Sequence, residues 1–385
     1  MRTIIIVLDG VGCGSMPDAE HYGDLGSNTL VHVADAVNGL ELPTLQRLGL
    51  GNILSLQGVS PTSAPLASYG KMAEKSPGKD TITGHWEIAG MRLFQPFAVY
   101  PMGFPKELVE LLENRFGREL LGNCAASGTE IIERLGKEHQ ETGKPIVYTS
   151  ADSVLQIATH IDVVPLSLLY KWCEQAREIC RGKYEIARII ARPFLGSPGG
   201  YQRTSDRHDY PLEPKSAHLL TVLEAKGIPV YSVGKIADIF VGQGIFKGHK
   251  TKDNIDGIEK TLQIVREAQH DAFIFTNLVE FDSLWGHRNN PQGFAEALQT
   301  FDRLLPKILE ELNEDDLLFI TADHGTDPTW PGTDHTREYV PLLVYGKKLP
   351  ARDLGIRSSF SDIAATIAQR HGALIPLHGE VISLN

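Results

Sequence analysis

Three runs of the chain, Thr3–Leu8, Ala272–Val279 and Leu317–Ile320, are apolar or β-branched for most of their length and lack the strict alternation of a half-buried strand. That pattern predicts strands covered on both faces, the condition of a mostly parallel sheet flanked by helices. An acid follows each run: Asp9 and Gly10 stop the first, Glu280 and Asp282 follow the second, and Asp323 follows the third. Amphipathic periodicity predicts helices over 216–226 and 254–269, with a further strand at 228–233. Prolines and glycines break the pattern at Tyr100-Pro-Met-Gly-Phe-Pro105 and again at Tyr210-Pro-Leu-Glu-Pro-Lys215. Between the breaks, helical stretches over 107–116 and 168–180 alternate with strand-like 146–149 and 186–191. The expected architecture is therefore an α/β core formed by 1–96 and 215–385, with 97–214 inserted as a smaller α/β cap domain. No internal repeat or low-complexity segment interrupts it.

Composition narrows the class without identifying the chemistry. A chain of 385 residues exceeds one typical core, and 42% hydrophobic residues suffice for a globular fold. No apolar stretch approaches the roughly 20 residues that cross a bilayer, and Met1 leads directly into strand sequence without a signal peptide, so a cytoplasmic protein is expected. Cys13, Cys124, Cys173 and Cys180 form no Cys-x-x-Cys pair and are read as reduced thiols. A net charge of −11 argues against nucleic acid or an anionic membrane as partner. It leaves a phosphorylated small molecule open, because bound cations and a few local basic groups reverse the potential within a pocket.

Chemistry concentrates where the apolar runs end. In an open α/β sheet, ligands gather at the carboxyl ends of the strands. Asp9, Asp282, His287, Asp323, His324 and His335 are all delivered there by three separate segments. Mixed carboxylate and imidazole donors suit zinc or manganese better than calcium, which prefers oxygen. Six side chains exceed the three that a catalytic zinc takes and suit two ions, a device that clamps both oxygens of an in-line phosphoryl displacement. In Ser76-Pro-Gly-Lys-Asp-Thr-Ile-Thr-Gly-His-Trp-Glu-Ile-Ala-Gly90, the turn followed by Asp80 and Thr81 predicts a helix start. Thr81 is the candidate nucleophile, against the alternative that Asp80, Thr81 and Thr83 only cap that helix. Gly10-Val-Gly-Cys-Gly14 lacks the third glycine of a dinucleotide fingerprint, position 15 being serine. Arg188, Arg192, Arg203 and Arg207 surround Pro193–Tyr201 in the insert and offer forked phosphate donors.

Asp9-Gly10, Gly78-Lys-Asp-Thr-Ile-Thr-Gly-His-Trp-Glu87, Phe281-Asp-Ser-Leu-Trp-Gly-His-Arg288, Thr321-Ala-Asp-His-Gly325 and Thr333-Asp-His-Thr-Arg-Glu-Tyr-Val-Pro341 together resemble the phosphopentomutases of the alkaline phosphatase superfamily, nearly end to end. Asp-His-Gly alone indicates only the superfamily. Gly-Lys-Asp-Thr ahead of Gly-His-Trp-Glu, with Asp-His-Thr-Arg-Glu, is more specific. The resemblance implies an alkaline-phosphatase-like core and two Mn²⁺ ions, with Zn²⁺ or another divalent metal as substitutes. Asp9, Asp323 and His324 would surround one ion, and Asp282, His287 and His335 the other. Thr81 would touch both as a phosphothreonine needed for activity. It further implies Arg188, Arg203 and Lys235 on the distal phosphate, Asp152 on sugar hydroxyls, and a cap that excludes water. The implied reaction interconverts ribose or 2-deoxyribose 1-phosphate and 5-phosphate through a 1,5-bisphosphate, with a sugar bisphosphate as activator. A metal-dependent phosphatase or phosphodiesterase of the same superfamily is the competing reading, and a non-catalytic metal-binding protein a third. Ile82 departs from the family pattern, which has a small polar residue there.

Overall fold

The computed structural model describes residues 1–150, 152–268, 271–373 and 378–384, so Gln269, at the end of the helix expected over 254–269, lies outside them. The chain divides into two compact units, Met1–Gln95 with Pro214–Asn385, and Pro96–Glu213. In chain order the strands are β1 (Arg2–Leu8), β2 (Ser68–Met72), β3 (Leu121–Ala125), β4 (Ile146–Thr149), β5 (Val154–His160), β6 (Arg188–Leu195) and β7 (Gln202–Arg203). There follow β8 (His208–Pro211), β9 (Val230–Val233), β10 (Lys247–His249), β11 (Ala272–Leu278), β12 (Leu317–Thr321), β13 (Val340–Tyr345) and β14 (Asp353–Arg357).

The first unit holds one sheet in the order β10-β9-β11-β1-β12-β13-β2-β14. It is parallel from β10 through β12, β13 runs antiparallel to both neighbours, and β14 pairs parallel with β2. Every residue of β1, β11 and β12 is buried, which explains why none of the three alternates. Their register aligns the site: Leu8 lies opposite Leu278, and Val7 opposite Thr321. Asp9, the residues after Leu278 and those after Thr321 consequently leave the sheet together at one edge. The strand expected at 228–233 begins only at Val230, since Pro229 has no N–H to give the ladder. The helix expected over 216–226 is Leu219–Ala225, with His218 and Thr221 capping each other across its first turn.

The second unit carries the order β3-β4-β5-β6-β7, with β8 also pairing β6. Successive residues of β5 feed opposite cores, as period-two geometry requires. Leu155 and Ile157 pack with Leu108, Leu112, Trp172 and Cys173 of helices Lys106–Phe116 and Leu166–Ile179. Ala158 packs with Ile131 and Ile132 of helix Gly128–Thr142, together with Tyr148 and Phe194. All four cysteines are free thiols, three of them buried. Among the described residues no helix is long and apolar enough to cross a membrane.

Candidate metal centre

At the shared edge, ligand atoms of Asp282, His287 and His335 lie within 4.8 Å of one another, and so do those of Asp9, Asp282 and His324. Asp282 belongs to both groups. Its Oδ2 is 3.2 Å from His287 Nε2 and its Oδ1 is 3.5 Å from His335 Nε2. His324 Nε2 sits 3.4 Å from Asp9 Oδ1 and 3.3 Å from Asp323 Oδ2, which brings in the sixth donor. The ring of His335 lies beside both of the others, tilted 44° to each, with centroids 4.1 Å from His324 and 4.7 Å from His287.

Whether these residues suit a cation can be read from their remaining hydrogen bonds. Asp9 Oδ1, Asp323 Oδ2 and His335 Nε2 are buried and have no hydrogen-bond partner among the described residues. The opposite atoms are engaged. Asn277 donates to Asp9 Oδ2 at 2.9 Å, the Gly10 amide to Asp323 Oδ1 at 3.1 Å, and Thr326 Oγ1 to Asp282 Oδ1 at 2.8 Å. His287 Nδ1 lies 2.6 Å from the Thr333 carbonyl, which makes Nδ1 the donor and turns Nε2 towards the other donors. Oriented carboxylates and imidazoles with unused lone pairs are what a divalent ion requires, so the fit is good.

The electrostatics agree. Burial alone would raise the carboxyls of Asp282 and Asp323. The imidazoles facing them, His335 and His287 in one case and His324 and His85 in the other, override it and hold both well below the usual carboxylate range. Burial would lower His324, but Asp323 prevails and pushes its imidazole well above its ordinary value. The two carboxylates are thus ionised, and an incoming cation competes with the proton on His324.

Thr81 opens helix Thr81–Ile88, and its Oγ1 lies 3.2 Å from His324 Nε2. Asp80 is the N-cap, accepting from the amides of Ile82 and Thr83, each at 3.1 Å. Capping is therefore the work of Asp80, and the Thr81 hydroxyl is left facing the donors. Gly84 permits the close approach of this helix, because a Cβ there would run into the Asp323 carbonyl. His85 Nδ1 sits 2.9 Å from the Thr81 carbonyl and 3.1 Å from Asp323 Oδ2, tying the helix to the ligand strand. Ile82 is buried.

Sequence reasoning passed over the residues that hold this loop. Arg337 is 3% exposed and donates to Glu74 Oε2 at 2.6 Å, to the Ser76 carbonyl at 2.9 Å and to the Gly78 carbonyl at 2.5 Å, while pairing with Asp18. Glu87 accepts from the amides of Lys75 and Ser76 at 2.8 and 2.6 Å and from Ser359 Oγ at 2.8 Å. Glu338 accepts from Thr29 Oγ1 at 2.8 Å and Thr336 Oγ1 at 2.7 Å. The available signal was their place in the same motifs as His335 and Thr81, two, three and six residues away.

Lys235 follows β9 at the same edge of the first unit. In the second unit, Arg188 pairs with Asp152 at 3.3 Å and reaches Asp209 at 4.0 Å. Arg207 pairs with Asp209 at 2.7 Å. Arg192 donates through Nε to Gln156 Oε1 at 3.0 Å, and neither it nor Arg203 has a carboxylate partner among the described residues.

Comparison with known proteins fits this geometry. The family model of the metalloenzyme superfamily matches residues 1–374. The phosphopentomutase of Thermotoga maritima is 58% identical over 375 residues, covering 97% of this chain and 96% of that protein. That of Desulfitobacterium hafniense is 57% identical over 372 residues, covering 96% of each. Among solved structures, the PH0037 protein from Pyrococcus horikoshii superposes with a TM-score of 0.51 at 16% identity over 98% of both chains, a likeness of fold. With end-to-end identity at this level and a matching superfamily model, the chain belongs to the phosphopentomutase family of the metalloenzyme superfamily.

Proposed function

We propose that the chain is an isomerase that interconverts ribose or 2-deoxyribose 1-phosphate and 5-phosphate. Relatives named phosphopentomutase at 57–58% identity support the reaction class. The single observation that carries the mechanism is the Thr81 hydroxyl, uninvolved in capping and 3.2 Å from His324 Nε2 among the converged donors. Asp9, Asp323 and His324 would hold one divalent cation, and Asp282, His287 and His335 a second, with Mn²⁺ as the proposed metal. When bound, the ions supply positive charge for the transferring phosphoryl oxygens and lower the pKa of a coordinated hydroxyl.

Thr81 begins the cycle phosphorylated. The bond from its Oγ1 to phosphorus breaks as the free hydroxyl of the pentose phosphate bonds to the same phosphorus, producing the 1,5-bisphosphate. Thr81 Oγ1 then takes the phosphoryl group from the other position. The proton lost by the first sugar hydroxyl is balanced by the one gained at the second, so the net change is isomerisation. The positive end of the Thr81 helix dipole favours the phosphoryl oxygens. Arg188, Arg192, Arg203, Arg207 and Lys235 are the proposed contacts for the phosphate that does not react, and Asp152 for sugar hydroxyls. A sugar bisphosphate would activate by phosphorylating Thr81, and the setting would be the cytoplasm.

Incubating Mn²⁺-loaded enzyme with ribose 5-phosphate and following the phosphorus resonances tests this reading. Ribose 1-phosphate should accumulate to equilibrium while intact-mass analysis finds one phosphoryl group on Thr81. Inorganic phosphate released steadily at the turnover rate would make the protein a phosphatase.

A further inference from the structure

Two of the six donors, Asp282 and His287, are carried by a segment wound as a π-helix, Phe281–Gly286, with His287 directly after it. Its bonds skip five residues: the His287 amide donates to the Asp282 carbonyl at 2.9 Å, and the Asn290 amide to the Trp285 carbonyl, also at 2.9 Å. Asp282 and His287 are themselves five positions apart. In an α-helix five residues overshoot one full turn by about 140°, which sends the two side chains to different faces. A turn closed by an i→i+5 bond returns them to one face, as spacing by four does in an α-helix. That is where they stand, with Asp282 Oδ2 3.2 Å from His287 Nε2.

Such wide turns are rare, and this one is held open by neighbours outside the donor set. The Trp285 indole lies against Gly293 in the first turn of helix Pro291–Glu311, where a Cβ would run into its ring. Gly286 leaves room for the Thr326 methyl, and that threonine donates through Oγ1 to Asp282 Oδ1 at 2.8 Å. Ahead of the turn, the Asn254 amide donates to Glu280 Oε2 at 2.7 Å and the Glu280 amide to Asn254 Oδ1 at 3.1 Å. Asp9 and Asp323 need no such turn, because they follow β1 and β12 and are set by the register of the sheet. The difference shows in burial: 32% of the His287 side chain is exposed, against 7% or less for the other five donors. We propose that the π turn is what makes Asp282 and His287 a ligand pair, that Trp285, Gly286 and Gly293 are its positioning residues, and that the ion held by Asp282, His287 and His335 is the weaker-held of the two. Tightening to α spacing swings His287 off the shared face and leaves Asp9, Asp323 and His324 in place. The identity of that ion rests on the two-cation reading above, whereas the geometry of the turn does not.

Trp285→Ala removes the indole and Gly293→Ala displaces it, and neither touches a donor; Trp285→Phe keeps a ring against Gly293 and is the conservative control. The full chain, stripped of metal, is titrated with Mn²⁺ and followed by metal content and electron paramagnetic resonance, which separates an exchange-coupled pair of ions from an isolated one. The parent should take up two Mn²⁺ in a tighter and a weaker step and end with the coupled signal. Both alanine variants should bind the first ion as the parent does and need about tenfold more Mn²⁺ for the second, the scale of lost support behind a metal ligand. At metal concentrations that give the parent its coupled signal, they should show the isolated ion. Trp285→Phe should bring the second step back towards the parent. Loss of both ions together, or a second step unmoved in both alanine variants, would overturn the proposal alone. A parent that takes up a single Mn²⁺ would overturn the two-cation reading and the proposal with it.

Discussion

The donor cluster of the first unit and the arginine face of the second hold their charges in opposite ways. Asp9, Asp323 and His324 are almost wholly buried, and each carboxylate is fixed by a donor from another segment while its second oxygen, facing imidazoles, has no hydrogen bond among the described residues. Arg188 and Arg207 instead meet Asp152 and Asp209 in partly exposed pairs. Removing one member of a buried charge cluster strands its partners, whereas an exposed pair contributes at most about 1 kcal/mol. The first region should therefore decide whether the reaction occurs, and the second how tightly the substrate is held.

Thr81→Ala tests that division most severely. Turnover should fall on the order of ten-thousandfold or more, with metal content per chain unchanged. Metal lost together with turnover would make Thr81 a structural part of the cluster. Arg337→Ala comes next, since it frees the Ser76–Gly78 turn that leads into the Thr81 helix. A drop in kcat of about a hundredfold with both metals retained is expected from a misplaced nucleophile. Arg337→Lys should not restore it, because an ammonium cannot reach Asp18, Glu74 and the carbonyls together. In the second unit, Arg188→Gln should raise KM for ribose 5-phosphate roughly tenfold or less and leave kcat nearly unchanged. A collapse of kcat there would erase the contrast between the regions.

The last test reads stability rather than turnover, through a buried histidine of the first unit remote in role from the donors. Burial lowers His218 from 6.5 to about 4, with its hydrogen bond to Gln243 opposing. The native state therefore keeps it neutral while the unfolded chain takes up a proton below 6.5. Stability is complete above that value and declines as pH falls towards 4, by up to about 3 kcal/mol. In His218→Gln, melting followed across this window should show a shallower decline. An identical slope in parent and variant would assign the acid sensitivity to other groups.

Much of the donor cluster was legible because Asp9, Asp282, Asp323 and His324 come within four residues of the largely apolar runs, and β1, β11 and β12 are buried at every position. Local signals also marked the Thr81 helix, where Asp80 and the preceding Pro-Gly turn announce a start. The antiparallel half of the sheet was less accessible, since nothing in the run Val340–Tyr345 reveals that it reverses direction beside β12. Arg337, Glu87 and Glu338 escaped notice for a related reason. Each has a partner far along the chain, Glu74 for Arg337, Ser359 for Glu87 and Thr29 for Glu338, and a charged residue whose partner is distant looks like any surface charge. The four arginines were visible as a group, but which of them are neutralised depends on Asp152 and Asp209, a pairing set by the register of β5, β6 and β8.

Crystals of the protein grown with Mn²⁺ and measured on both sides of the manganese absorption edge test the central claim directly. Two anomalous peaks roughly 4 Å apart should lie among Asp9, Asp282, His287, Asp323, His324 and His335, with Thr81 Oγ1 beside both. A single peak, or manganese bound away from these side chains, would contradict it.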